Sequence, residues 1–115
     1  MVVKEETEMH AREMISAHPD VKGHVSDPLI TCIEECYACA QTCTSCADAC
    51  LAEDMVAQLT QCIRLNLDCA DICAATGAMA SRRAGSNQEV LRNTIAACAL
   101  TCKVCAEECQ SHAAR

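Results

Sequence analysis

The sequence predicts an all-α fold, an antiparallel four-helix bundle with a cysteine-lined core. Three observations predict it. The 13 cysteines of the 115-residue chain fall at positions 32, 36, 39, 43, 46 and 50, then 62, 69 and 73, then 98, 102, 105 and 109. Most steps are three or four residues and one is seven, the heptad intervals that set side chains in one stripe along a helix. With three Gly and two Pro, the chain lacks the punctuation of a turn-rich all-β domain. The 20 alanines are the strongest helix formers and suit small spacers beside the stripes.

Each element then follows in order. The whole chain, 1–115, reads as one domain, since its length suits one core and leaves little room for two. Residues 1–17 form an N-terminal helix, with acids early and Pro19 beyond its end. Residues 18–27 form a loop. Residues 28–113 hold the three cysteine-bearing helices. Asp27-Pro28 supplies an N-cap and a proline at the first helical position, and that helix runs to Leu51. Ala52 to Asp54 is a tight turn. The next helix runs from Met55 to Ser81. Arg82, Arg83 and Gly85 mark its C-terminal side. Ser86 or Asn87 caps the last helix, with Glu89 in its first turn, and it reaches His112. Short connections imply antiparallel neighbours, so three helices contribute thiols and the first covers them.

Composition excludes several classes of function. Beyond Cys and Ala, only 26 residues are Val, Ile, Leu, Met or Tyr, and Tyr37 is the single aromatic. An ordinary core leans on larger apolar side chains. The net charge of −7 repels a phosphate backbone, so nucleic acid is not expected as a partner. No apolar run is long enough to span a bilayer, so no membrane role is expected. The N-terminus lacks the cationic, apolar and small-residue pattern of a secretory signal, which points to the cytoplasm. A reducing compartment, an odd cysteine count and a helical spacing together argue against a disulfide framework. No Ser-His-Asp set, phosphate loop or paired-carboxylate site is present, so the chain does not read as an enzyme.

Antiparallel packing predicts how the stripes meet. Cys50 lies near Met55 and His112. Below come Cys46, Leu59 and Cys109, then Cys43, Cys62 and Cys105. Cys39, Asn66 and Cys102 follow, then Cys36, Cys69 and Cys98, then Cys32, Cys73 and Ile95. A slip of one layer would hardly change what lines the lumen. Leucine would bury more apolar area at each site, so thiols repeated over three helices point to chemistry rather than packing.

Thiolates are soft ligands that select Cu(I), zinc or iron–sulfur clusters. Bacterial ferredoxin spacing, C-x2-C-x2-C-x3-C-P, is absent. A zinc ion with four thiolates carries net charge −2, costly inside a dry bundle. Cu(I) accepts two or three thiolates. With a metal–sulfur bond of about 2.3 Å, as for zinc thiolates, a near-linear link spans about twice that length, close to the reach of i and i+4 side chains. About one Cu(I) per thiolate is electrically neutral and can be buried. The favoured reading is a Cu(I) storage and buffering protein holding multiple ions per chain. A thiol or iron–sulfur redox carrier and a zinc-thiolate buffer are the alternatives.

The ladder Cys32-x3-Cys36-x2-Cys39-x3-Cys43-x2-Cys46-x3-Cys50, with Cys62, Cys69 and Cys73 and then Cys98-x3-Cys102-x2-Cys105-x3-Cys109, resembles the bacterial copper storage proteins, the Csp family. The resemblance covers about residues 28–113 and is closest to the cytosolic branch, although Leu59, Asn66 and Ile95 interrupt the seams. It implies a four-helix bundle, a homotetramer, and many Cu(I) ions held by the cysteines in the lumen. It also implies a copper donor or acceptor chaperone as partner. Family members similarly place His, Met or Asp at the open end of the bundle, a role that falls here on His112, Asp54 and Met55. Leu91 and Ile95 read as a plug at the opposite end. His10, Met14 and His18, spaced by four, offer a secondary copper-sensing face or a plain helix surface. Tyr37 points off the seam, and an oligomer interface is the expected place for it.

Overall fold

The computed structural model describes residues 10–113. Among the described residues there are four α-helices, α1 (Ala11–Ser16), α2 (Asp27–Leu51), α3 (Thr60–Ser81) and α4 (Gln88–Ala113), with a 3-10 turn over Val56–Leu59. No described residue is in a strand. Among the described residues no helix is long and apolar enough to cross a membrane. Helix α3 is central, packing most extensively on α2 and then on α4.

The helix starts differ from expectation in instructive ways. The N-cap of α2 is Ser26, whose Oγ accepts from the Leu29 N–H at 3.4 Å, and Asp27 is already helical. The hydroxyl of Ser26 takes the orphan donor, as a cap should. That frees the Asp27 carboxylate to pair with Arg12 at 2.8 Å and to sit at the positive end of the helix dipole. Helix α3 begins at Thr60 rather than Met55, because residues 56–59 wind as a 3-10 turn. For α4, the Asn87 carbonyl accepts from Leu91 N–H at 3.0 Å, which places Asn87 at the N-cap position.

Of the helix expected over residues 1–17 the described part is Ala11–Ser16, and it does a different job from covering thiols. Residues 1–9 lie outside the described residues. The six residues of α1 bury Ile15 against Ile30, Ile33 and Ala80, with Tyr37 and Leu91 packed around them. This apolar cluster closes one end of the bundle. Leu91 belongs to the plug as expected, but Ile30 and Ile33 form most of it, and Ile95 is only half-buried beside Gln88 and Arg92. The stretch His18 to Val25 returns the chain to α2 through Lys22 and Gly23, both at positive φ (52° and 84°). Glycine takes that conformation freely, whereas Lys22 does so at a cost of about 1 kcal/mol.

Tyr37 does point away from the cysteine stripe, and its half-buried ring packs within the chain. Its ring lies on Gly77 of α3, so that a Cβ at 77 would stand 3.0 Å from Cε2. Glycine is absent from most helix interiors because it costs about 1 kcal/mol relative to alanine. Here it lets the ring approach. Gly77→Ala is therefore expected to gain that propensity and lose more, about 1–3 kcal/mol, to overpacking. In a Tyr37→Ala background the same change should become stabilising. Denaturant melts of the four-member cycle would show the reversal of sign, and two additive changes would refute the close-packing account.

Candidate metal centre

Three amphipathic stripes bring the thiols together, and all 13 are free. Cys36, Cys43, Cys62, Cys69, Cys73, Cys98 and Cys105 are buried, and the other six are half-buried. Every cysteine of α3 is buried, as befits the central helix.

The sulfur contacts define a ladder. Near one end Cys62 lies 3.6 Å from Cys109, and Cys109 and Cys50 are close enough to bear on the ionisation of Cys62 and of Cys46. Next comes Asn66, 2% exposed. Its Nδ2 donates to the Cys62 carbonyl at 2.9 Å, to Cys62 Sγ at 3.3 Å and to Cys109 Sγ at 3.5 Å. Its Oδ1 accepts from Cys105 at 3.4 Å. Cys39 then meets Cys69 at 3.7 Å and Cys102 at 3.9 Å, while Cys69 and Cys102 are 3.5 Å apart. Cys73 follows, 3.5 Å from Cys102 and 3.6 Å from Cys98. Cys36 and Cys32 close the series beside Cys98.

Helix α3 is thus one layer away from its expected register. The pairing of α2 with α4 holds, Cys39 with Cys102 among them. The sequence placed Cys62 beside Cys43 and Cys105, Asn66 beside Cys39, and Cys69 beside Cys36. Instead Cys62 sits with Cys109, Asn66 with Cys105, and Cys69 with Cys39 and Cys102. The cause is the connection. The turn and the 3-10 segment use residues 52–59 before α3 starts, so the helix enters with Cys62 level with the mouth thiols.

Two groups have the geometry of a metal site. Cys39, Cys69, Cys73 and Cys102 keep their sulfurs within 4.8 Å of one another, and so do Cys43, Cys69 and Cys105. Cys69 belongs to both.

Burial sets the protonation of these thiols. Desolvation, reinforced by neighbouring thiols, pushes Cys36, Cys62 and Cys105 up to about 12 and Cys46 to about 11. Cys69 and Cys73 are pushed higher still by the same cause. Cys43 and Cys102 are raised by burial as well. Cys39 is the exception. Burial pushes it up, but hydrogen bonds from Cys73, Cys69, Cys43 and Cys102 outweigh this and hold it below the ordinary thiol value. A thiolate at Cys39 would have four S–H donors around it.

The linkage sign follows. Raised thiols keep their protons at neutral pH and must give them up to a metal. Loading with a soft cation at pH 7.5 is expected to release about one proton per thiolate ligated. Affinity should rise about tenfold per pH unit for each proton displaced, and keep rising past pH 9, where ordinary thiols level off. A pH-stat titration together with chelator competition would measure both. Proton-neutral loading would contradict the buried-thiol picture.

The expected end-ligands are placed unevenly. His112 is half-buried; its Nε2 meets Glu108 Oε2 at 2.7 Å, and its Nδ1 is buried with no hydrogen-bond partner. That contact takes a proton on Nε2, and in the neutral imidazole Nδ1 is then the nitrogen with a lone pair to offer. Asp54 and Met55 are exposed in the turn before the 3-10 segment, Met55 at 45%. Neither Asp54 nor His112 enters the two thiol groups. The candidate face of His10, Met14 and His18 is not assembled: α1 ends at Ser16, His18 Nδ1 accepts from the Asp20 N–H at 3.0 Å, and His10 contacts Glu13. The amide clamp of Asn66 on three thiols agrees with its position inside the seam, which sets a side-chain amide among thiols it can hydrogen-bond.

The fold and the site together define a helical-bundle protein with a contiguous thiol core suited to a soft metal. The model of the copper storage protein family, Csp, matches residues 25–115. The chain is similar in structure to the copper storage protein Ccsp of Streptomyces lividans loaded with 10 copper equivalents, with 47% identity and a TM-score of 0.85 over 90% of this chain and 80% of that one. A second structure, of a cytosolic copper storage protein from Streptomyces lividans with five coppers, matches at 53% identity and TM-score 0.73 over 75% of this chain and 72% of that chain. The cysteine-rich protein YhjQ of Bacillus subtilis (strain 168) is 37% identical over 81 residues, 70% of this chain and 71% of that protein. The chain belongs to the copper storage protein family.

Proposed function

We propose that this protein stores and buffers Cu(I), holding several ions through Cys32, Cys36, Cys39, Cys43, Cys46, Cys50, Cys62, Cys69, Cys73, Cys98, Cys102, Cys105 and Cys109. The observation that carries the reading is that Cys69 belongs to two thiol groups at once. A shared sulfur suits bridging Cu(I) thiolates, in which charge cancels along the network. Isolated zinc sites would each need four sulfurs and carry excess negative charge. His112 Nδ1, a buried acceptor without a partner, joins the ligands at the end of the ladder, with Asp54 and Met55 at the mouth. The protein acts as a store and not as a catalyst.

The related cytosolic protein of Streptomyces lividans supports a cytoplasmic location. Helix α4 exposes Val90, Leu100 and Val104, at 51%, 61% and 38%, an apolar outer face that favours the homotetramer implied by the family. An anaerobic Cu(I) titration against a competing chelator tests the storage reading. Uptake approaching one Cu(I) per thiolate is expected. Saturation at one or two ions per chain would overturn it.

A further inference from the structure

The thiol stripe of α3 is broken at one step. Cys62 and Cys69 are seven residues apart, about 10.5 Å along the axis at the rise of an α-helix, and Asn66 occupies the step between them. Its amide has a fixed orientation. The Cys62 carbonyl can only accept, so the amide atom 2.9 Å from it is the nitrogen. The remaining directions follow. Nδ2 also donates to the sulfurs of Cys62 and Cys109, while Oδ1 accepts from Cys105 at 3.4 Å and from Cys109 at 3.9 Å. Around this amide the thiols sort into two sets. On the mouth side Cys62 meets Cys109, and Cys46 lies beside Cys109 and Cys50. On the inner side Cys43 is 3.8 Å from Cys39 and groups with Cys69 and Cys105, next to the set of Cys39, Cys69, Cys73 and Cys102. Neither inner group includes Cys62 or Cys109. Cys105 and Cys109 are neighbours across the divide on α4, and both are engaged by the amide.

Cu(I) moves through a lattice of thiolates by exchange. A bond to the next sulfur forms as the bond to the last one breaks, and no electron is transferred. The amide interrupts that relay, because its nitrogen has no free lone pair and its oxygen is a hard donor mismatched to Cu(I). Its two sides also differ. Thiolates at Cys62 and Cys109 that hold metal still accept from the N–H groups. Metal on Cys105 removes the S–H donor and leaves a buried Oδ1 unpaired, which costs free energy. We infer that Asn66 is a positioning residue that divides the copper store into an outer pool on Cys46, Cys50, Cys62 and Cys109 and an inner pool on the thiols beyond it. The outer ions exchange readily and the inner ions are held in reserve. The inference rests on the storage reading.

The test loads the whole protein with Cu(I) anaerobically, adds an excess of a strong chelator and follows release in time. The unaltered protein should give up about four ions quickly, one per outer thiolate. The remainder should leave at least about tenfold more slowly, the factor that one or two buried hydrogen bonds add to a barrier. Asn66→Ala removes the amide without supplying a donor, and the slow phase should speed up about tenfold. Asn66→Cys supplies the missing sulfur, so the two phases should merge and capacity should rise by about one ion. Gly77→Ala loosens the bundle away from the amide and should leave the two phases apart. A single phase in the unaltered protein would overturn the division. So would a slow phase that Asn66→Ala leaves unchanged, two phases that Asn66→Cys fails to merge, or equal acceleration by Asn66→Ala and Gly77→Ala. Total copper is read in the same samples. A capacity of only one or two ions in the unaltered protein would instead strike the storage reading itself.

Discussion

Replacing Cys69 by serine is expected to remove more copper than replacing a thiol at the end of the ladder. Its sulfur lies within reach of Cys39, Cys73 and Cys102 on one side and of Cys43 and Cys105 on the other. A hydroxyl is a hard donor with a far higher pKa than a thiol, so it neither bridges Cu(I) nor supplies the balancing charge. Both groups then lose a ligand, and each must shed positive charge to stay neutral. Capacity should fall by about two or three ions. Cys32→Ser, at the far end, should cost about one, because a single terminal thiolate is lost. Chelator competition on the two variants reads the difference directly. Equal losses would mean that the thiols bind independently and that the shared position of Cys69 has no consequence. Serine is close in size to cysteine, so a folding defect is a small concern, and circular dichroism of the apo variants checks it.

Copper loading should raise the melting temperature by at least about 20 °C. The apo core has little to hold it together. One buried cluster is made of thiols and alanine, and the other rests on Ile15, Ile30, Ile33 and Ala80. A ligand present at a thousand times its dissociation constant adds about 4 kcal/mol per site to the folded state. For a domain of this size each kcal/mol moves the melting point by several degrees, about 2–8 °C. Several ions crosslinking α2, α3 and α4 therefore dominate the stability. The measurement is an anaerobic thermal melt of apo and loaded protein, followed by removal of copper with a strong chelator. A rise below about 5 °C, or one that persists after the metal is stripped, would contradict the role of the metal as the missing core.

Much of this arrangement was legible in the sequence, and the failures have physical causes. The period of the cysteines revealed three helices and one thiol lumen, because helical spacing is a local property. The partnership of Cys39 with Cys102 also followed, since α2 and α4 run parallel across the bundle. The level of α3 did not follow. It depends on whether residues 56–59 wind as α or as 3-10, and Val-Ala-Gln-Leu carries no capping signal to decide that. The apolar plug was half-read: Leu91 stood out, whereas Ile30 and Ile33 were hidden beside the cysteine period. Of the two readings of His10, Met14 and His18, the plain surface agrees better with the structure, because the helix ends at Ser16 and His18 turns back onto the Asp20 N–H. His112 was marked by its three-residue step from Cys109, but its contact with Glu108 and the vacant lone pair on Nδ1 required coordinates.

The seat of Tyr37 on Gly77 gives the molecule a built-in optical probe. The chain has no tryptophan and no other tyrosine, so its near-ultraviolet emission comes from one ring. That ring follows Cys36 in sequence and rests four residues beyond Cys73, next to the closed end of the ladder. The span from Cys36 to Cys50 along α2 is about 21 Å at the rise of an α-helix. Copper entering the Cys36–Cys73–Cys98 region comes within short range of the fluorophore, while copper held near Cys50 stays remote. Emission quenching against metal added is therefore a ruler for the direction of filling, requiring no label and no mutation.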